Sequence, residues 1–183
     1  MNSATKGMLK RVTRYLSVFA LLSFAFGMTF LWVFHSSALS LVIIRGTSME
    51  PTFFDGQRVL LSQSKEMKDG LIVVFPAPKN WGIEGNPELI KRIAAKGGDT
   101  VTYDGSQLFV NGNPILNLQA TGYSCDLPEG YSHTLSETEV FAVGDNHLVS
   151  FDSLRVLCEN DPTKTAYVST SELTSYGTIW KKF

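Results

Sequence analysis

The chain has little of what metal or redox chemistry needs. Only two cysteines, Cys125 and Cys158, and three histidines, His35, His133 and His147, occur among its 183 residues. They are too scattered for a zinc-binding spacing, so neither a metal site nor a cofactor is expected. An excess of one charge is missing as well: 16 Lys and Arg against 17 Asp and Glu leave a formal net charge of -1. With a pI near 6.3 and basic residues scattered among acidic ones beyond the N-terminus, the chain has no electrostatic footprint for nucleic acid. No repeat or low-complexity segment appears. The length allows one domain with a real core plus an anchor, but not two large domains.

Two local absences are more telling. No acidic residue occurs in the first fourteen positions, which hold Lys6, Lys10, Arg11 and Arg14, and no charge of either sign occurs from Tyr15 to Phe34. That uncharged run of about 20 residues is what an α-helix needs to cross a bilayer. Ser17, Ser23, Gly27 and Thr29 are tolerated in such a helix, and Trp32 suits the far interface. The positive-inside rule then keeps residues 1–14 in the cytoplasm, makes 15–34 the anchor and exports residues 38–183. A cleavable signal peptide ending at Ser36-Ser37-Ala38 is the rival reading, but the apolar run exceeds the usual core of about 7–15 residues. Cys125 and Cys158 both fall in the exported part, where a disulfide is chemically stable; a bridge and two thiols both remain open.

Beyond the anchor, Ala38 to Ile44, with the β-branched Val42, Ile43 and Ile44, reads as a strand, and Phe53-Phe54 suits either the core or a lipid interface. Strands are further expected at Arg58–Leu61, Leu71–Phe75, Leu89–Ala95, Thr100–Tyr103, Gln107–Val110, Val140–Val143 and Tyr176–Trp180, punctuated by Gly and Asx turns. Asp104-Gly105 and Asn111-Gly112 give the strongest hairpin signal. Residues 79–87, with Trp81 alone among turn formers, read as a loop, and 113–139 as irregular structure. The expectation is a mainly β domain, with helix confined largely to the anchor.

The chemistry centres on Arg45-Gly46-Thr47-Ser48-Met49-Glu50-Pro51. A serine there is an ordinary turn residue unless something activates it. Lys91 is a candidate base, because period-two alternation sets it on the apolar face of Leu89, Ile93 and Ala95, with Arg92 on the opposite face. Burial disfavours the ammonium form, and a neutral amine can take a proton from a serine hydroxyl. The plainer alternative is a lysine whose stem covers apolar surface while its head reaches water. A triad using His147 with Asp145 or Asp152 is a further alternative.

Five stretches together resemble the type I signal peptidases, membrane-anchored serine proteases that remove signal peptides. Ser48-Met49-Glu50-Pro51-Thr52 is similar to the family's nucleophile box, residues 70–75 to its buried strand, and residues 91–101 to its general-base box. Gly144-Asp145-Asn146 with Ser150-Phe151-Asp152-Ser153 resembles the last box, and Gly177 to Trp180 the closing strand. The resemblance implies an antiparallel coiled-sheet catalytic domain, with Ser48 as nucleophile, Lys91 as general base and Ser150 as the hydroxyl that orients the lysine. Asp145 and Asp152 would be structural supports. The implied setting is the bacterial cytoplasmic membrane, with the catalytic domain on its outer, periplasmic face. The implied partners are membrane lipid and preproteins with small residues before the cleaved bond.

Two departures stand out. Some members place a serine hydroxyl two positions before the nucleophile as an oxyanion donor; Gly46 stands there and has none. The family's arginine after the Asp-Ser pair is replaced by Leu154, and Arg155 comes one residue later, which in a strand would reverse its face. Small relatives mature or cyclise prepilin subunits of conjugative transfer systems, so a dedicated prepilin peptidase is an alternative function. An inactive module that binds preproteins without cutting them is another.

Overall fold

The computed structural model describes residues 3–36, 39–64, 66–118 and 123–183. Ser37 and Ala38 of the small-residue site, the first two residues of the basic N-terminus, residues 119–122 and the side chain of Trp32 lie outside the described residues. The chain divides into two units, Met1–Ala38 and Leu39–Phe183.

The first unit is helix α1, Ser3–Ser36. Its stretch Val12–Thr29 is long and apolar enough to cross a membrane, and none of it is buried by protein. Two hydroxyls of that stretch are satisfied locally: that of Ser17 donates to the Thr13 carbonyl and that of Thr29 to the Ala25 carbonyl. No uncompensated donor is then presented to hydrocarbon at these positions.

The second unit is mainly antiparallel β. In chain order its elements are β1 Leu39–Ile43, β2 Arg58–Gln63, β3 Ile72–Pro76, β4 Glu88–Lys96, β5 Thr100–Tyr103, β6 Gln107–Val110, β7 Asn113–Asn117, β8 Tyr131–Thr134, β9 Glu139–Val143, α2 Ser153–Glu159, β10 Val168–Ser169 and β11 Ser175–Lys182. A seven-stranded sheet runs β1-β2-β11-β3-β4-β9-β10 and a four-stranded sheet runs β7-β6-β5-β8.

The continuous apolar run of β3 has a simple cause. Val73 and Phe75 enter one core, with Ile93, Val101 and Phe141, whereas Ile72 and Val74 enter a second core with Ile44, Met49, Phe53 and Ile90. A strand covered on both faces needs apolar residues at every position. The second core also separates the two phenylalanines: Phe53 is fully buried and Phe54 is exposed. In the β6–β7 hairpin, Asn111 and Gly112 both take positive φ, 51° and 75°, as the tight turn requires.

Three readings need correction. Residues 113–139 are not irregular throughout, since they contain β7 and β8. These are the two edges of the smaller sheet, largely exposed, and β8 pairs with the distant β5 through contacts such as Val101↔His133. Residues 79–87 are not a featureless loop. Lys79–Trp81 forms a 3-10 turn, and Trp81, 1% exposed, donates from its indole to the Thr165 carbonyl at 2.8 Å and packs edge-on against Phe75. The residues after Asp152 form helix α2 rather than a strand, so face reversal by slippage does not apply to Arg155.

Cys125 and Cys158 form a disulfide, tying the 123–127 segment to α2. Closing a loop with a sequence separation of 33 removes unfolded-state entropy and stabilises by about 2–4 kcal/mol. Replacing both cysteines by serine is expected to lower the thermal midpoint of the β domain by several degrees. A midpoint unchanged within about 2 °C would contradict that assignment.

Candidate active site

Ser48 sits in the turn that follows β1. The Glu50 N–H donates to the Thr47 carbonyl and the Phe53 N–H to the Met49 carbonyl, which closes the turn under the serine. Gly46 takes φ +80°, and its N–H donates to Asp55 Oδ1 at 2.7 Å. A side chain at Gly46 would be strained in that conformation, which accounts for glycine there and leaves no hydroxyl.

Lys91 lies in the middle of β4, opposite Val73 of β3, and is 2% exposed. Its Nζ is 3.0 Å from Ser48 Oγ. Burial lowers the pKa of the amine, against the pull of Asp152 and Asp145 in the other direction. Burial thus disfavours the charged form of an amine that lies within hydrogen-bond reach of a hydroxyl.

The turn after β9 carries most of the remaining contacts. Asp145 binds Arg92 through both oxygens, at 2.8 Å to Nε and 2.7 Å to Nη2. Burial pushes the Asp145 carboxyl up, but hydrogen bonds from Arg92 and Thr52 with the adjacent positive charge outweigh it, leaving the carboxyl below its usual range. Asp152, 1% exposed, caps α2 by accepting from the Arg155 N–H and also accepts from the Gly144 N–H at 2.7 Å. A Cβ at Gly144 would lie 2.6 Å from the Ser48 carbonyl oxygen, so only glycine fits this approach. Asn146 grips the Ser48 turn: its N–H donates to the Ser48 carbonyl at 2.9 Å, and its Nδ2 to the Thr47 carbonyl at 3.2 Å.

Other expected contacts are not made. Ser150 is fully buried beside Gly144, but its Oγ has no hydrogen-bond partner, so it does not bond the lysine it was expected to orient. His147 Nδ1 is likewise unpartnered. With Asp145 committed to Arg92 and Asp152 to backbone amides, a histidine triad lacks its His–Asp bond. Arg155 is exposed, lies 3.8 Å from Glu159 and stacks over Phe151. Arg92, Gly144 and Asn146 carry contacts that sequence reasoning did not assign. The triplet 144–146 stood out as a motif, but the partners of Asn146 are almost a hundred residues away in sequence.

The larger sheet curls so that β1 and β4, four places apart in strand order, face each other across a cleft. It measures about 520 Å³ and is lined by Leu41, Val42, Ile43 and Arg45 on one side and residues 87–91 on the other, with Val74 and Ser48. Apolar walls around a hydroxyl and a desolvated amine suit a serine hydrolase acting on an extended polypeptide.

The particular family follows from comparison with known proteins. The family model described as signal peptidase, peptidase S26 matches residues 13–157. The chain belongs to that family and is a serine endopeptidase. Signal peptidase IB of Staphylococcus aureus (strain Mu50 / ATCC 700699) is 29% identical over 153 aligned positions, covering 73% of this chain and 77% of the relative. Signal peptidase I V of Bacillus subtilis (strain 168) is 28% identical over 126 positions, covering 60% and 71%. A crystal structure of a signal peptidase I from Enterococcus faecalis V583 superimposes with a TM-score of 0.41 at 20% identity, covering 62% of this chain and 98% of that one.

A lysine whose folded pKa lies below its unfolded value costs stability in full below the folded pKa. The cost fades as pH rises towards the unfolded value of about 10.4. Lys91→Met is therefore expected to raise the thermal midpoint at pH 7, with the gain shrinking towards pH 10. A variant less stable than wild type at pH 7 would show that the amine is not carrying a desolvation cost.

Proposed function

We propose that the protein removes N-terminal signal peptides from exported preproteins, with Ser48 as nucleophile and Lys91 as general base, through an acyl-enzyme. The observation that carries this reading is the 3.0 Å separation of Lys91 Nζ and Ser48 Oγ around a lysine that burial drives towards its neutral form. Neutral Lys91 accepts the Ser48 proton as the oxygen attacks the scissile carbonyl. The amine then protonates the leaving nitrogen, and in the second half it activates the water that hydrolyses the ester. The Ser48 N–H supplies one oxyanion donor. Asp145 and Asp152 hold the scaffold: one fixes β4 through Arg92, and the other fixes Gly144 against α2.

The apolar cleft suits the uncharged residues that precede the cleaved bond, small side chains among them. A basic N-terminus ahead of an apolar helix supports an anchor in the cytoplasmic membrane, with residues 1–14 inside and the β domain on the outer face. Membrane lipid and preproteins are then the two partners.

Cleavage of a preprotein in detergent tests the reading. Ser48→Ala is expected to abolish cutting, and Lys91→Ala to reduce it by about 10²- to 10⁴-fold. Wild-type kcat/KM should rise with pH as Lys91 loses its proton, on a limb lying below about pH 10.4. If both variants cut as well as wild type, the Ser-Lys assignment is wrong. If His147→Ala alone abolishes cutting, a histidine base replaces it.

A further inference from the structure

We propose that the loop from Asn146 to Ser150 binds the first residues after the cleaved bond, and that Leu148 and Val149 make it select apolar side chains there. This rests on the reading of Ser48 as nucleophile. Loops next to a reacting centre are ordinarily polar where they face water. Here two adjacent aliphatic residues are 64% and 54% exposed and make no contribution to either core.

Their position is fixed by hydrogen bonds. Asn146 is held to the Ser48 carbonyl, and the Val149 and Ser150 N–H groups both donate back to the Asn146 carbonyl, at 3.2 and 3.0 Å. The loop is thus a tight turn against the backbone of the nucleophile. The Leu148 Cα is two chain steps from that of Asn146, at most about 7.6 Å. An extended substrate advances about 3.4 Å per residue, so the second or third residue beyond the bond comes within reach of the pair.

The other flank of Ser48 is already accounted for. The cleft between β1 and β4 is lined by no residue of the 144–150 segment, and it takes the part of the substrate before the bond. The chain beyond the bond passes to the opposite flank, where the turn containing Asn146 meets the Thr47 and Ser48 carbonyls. From Leu148 a second depression of about 360 Å³ continues past Tyr123 and Arg155, giving the leaving chain a path. A substrate with apolar residues just after the bond covers Leu148 and Val149; a charged residue there loses its water against them.

The test uses the full-length protein in detergent and two synthetic preprotein peptides, identical up to the cleaved bond. One continues with Ala-Leu-Val and the other with Ala-Asp-Lys, so that the second and third residues beyond the bond differ. Wild type is expected to favour the first by about tenfold or more in kcat/KM. Leu148→Ser/Val149→Ser should bring the ratio to within about twofold, the size of effect left when an apolar contact is gone. A wild-type ratio already within about twofold overturns the proposal whether or not the variant folds. So does a ratio that survives in a variant with an unchanged thermal midpoint. Ser48→Ala run alongside separates the two failures: if it still cuts, the nucleophile assignment falls. If it is inactive and the ratio is flat, only the role of the loop falls.

Discussion

The desolvation of one amine governs the arrangement of this β domain. An ammonium group withdrawn from water costs of the order of several kcal/mol, and Lys91, 2% exposed in the centre of β4, is placed where that cost falls in full. Two carboxylates nearby pull the other way. Each is engaged elsewhere. Asp145 is bound through both oxygens by Arg92, and Asp152 accepts from two backbone N–H groups. Their pull on the amine remains but does not overcome burial. The ion pair that β4 presents on its other face is thus part of what keeps Lys91 in its unusual state.

The same few residues hold the hydroxyl. From Gly144 to Ser153 the chain meets the Thr47 and Ser48 carbonyls, Arg92 on β4, the Ala142 N–H through the Ser153 hydroxyl, and the start of α2. The disulfide anchors the far end of that helix. Fixing a short segment at so many points restricts the motion of the Ser48 turn, and under the proposed Ser-Lys mechanism the two groups gain most when neither can drift. The glycine at 144 follows from this crowding, since a Cβ there would occupy the space of the Ser48 carbonyl. The glycine at 46 follows from backbone conformation instead.

Much of this was legible along the chain because it depends on local rules. The uncharged run after a basic N-terminus marks the helix. Asx-Gly pairs mark the hairpin turns, and β3 shows its two-sided burial as an unbroken apolar run. Lys91 among Leu89, Ile93 and Ala95 announced a lysine on an apolar face. Other features were illegible for an equally physical reason. The strands β7 and β8 are short edges whose partners provide their order, and Trp81 looks like an isolated loop residue until Phe75 and the Thr165 carbonyl are brought to it. Helix α2 is only seven residues long, too short for periodicity to declare it, and depends on the Asp152 cap and on tertiary burial.

The sequence by itself determined the membrane-length helix, the mainly β class, and the residue types able to supply a nucleophile and a base, because composition, period and turn chemistry act over a few neighbouring positions. Only the tertiary structure decided that Ser48 and Lys91 meet at 3.0 Å, that Asp145 is committed to Arg92, and that the Ser150 hydroxyl does not bond the lysine. Those outcomes depend on sheet curvature and on contacts between residues 43 to 99 positions apart. No local preference encodes them; they are settled when burial of the two cores fixes which strands lie side by side.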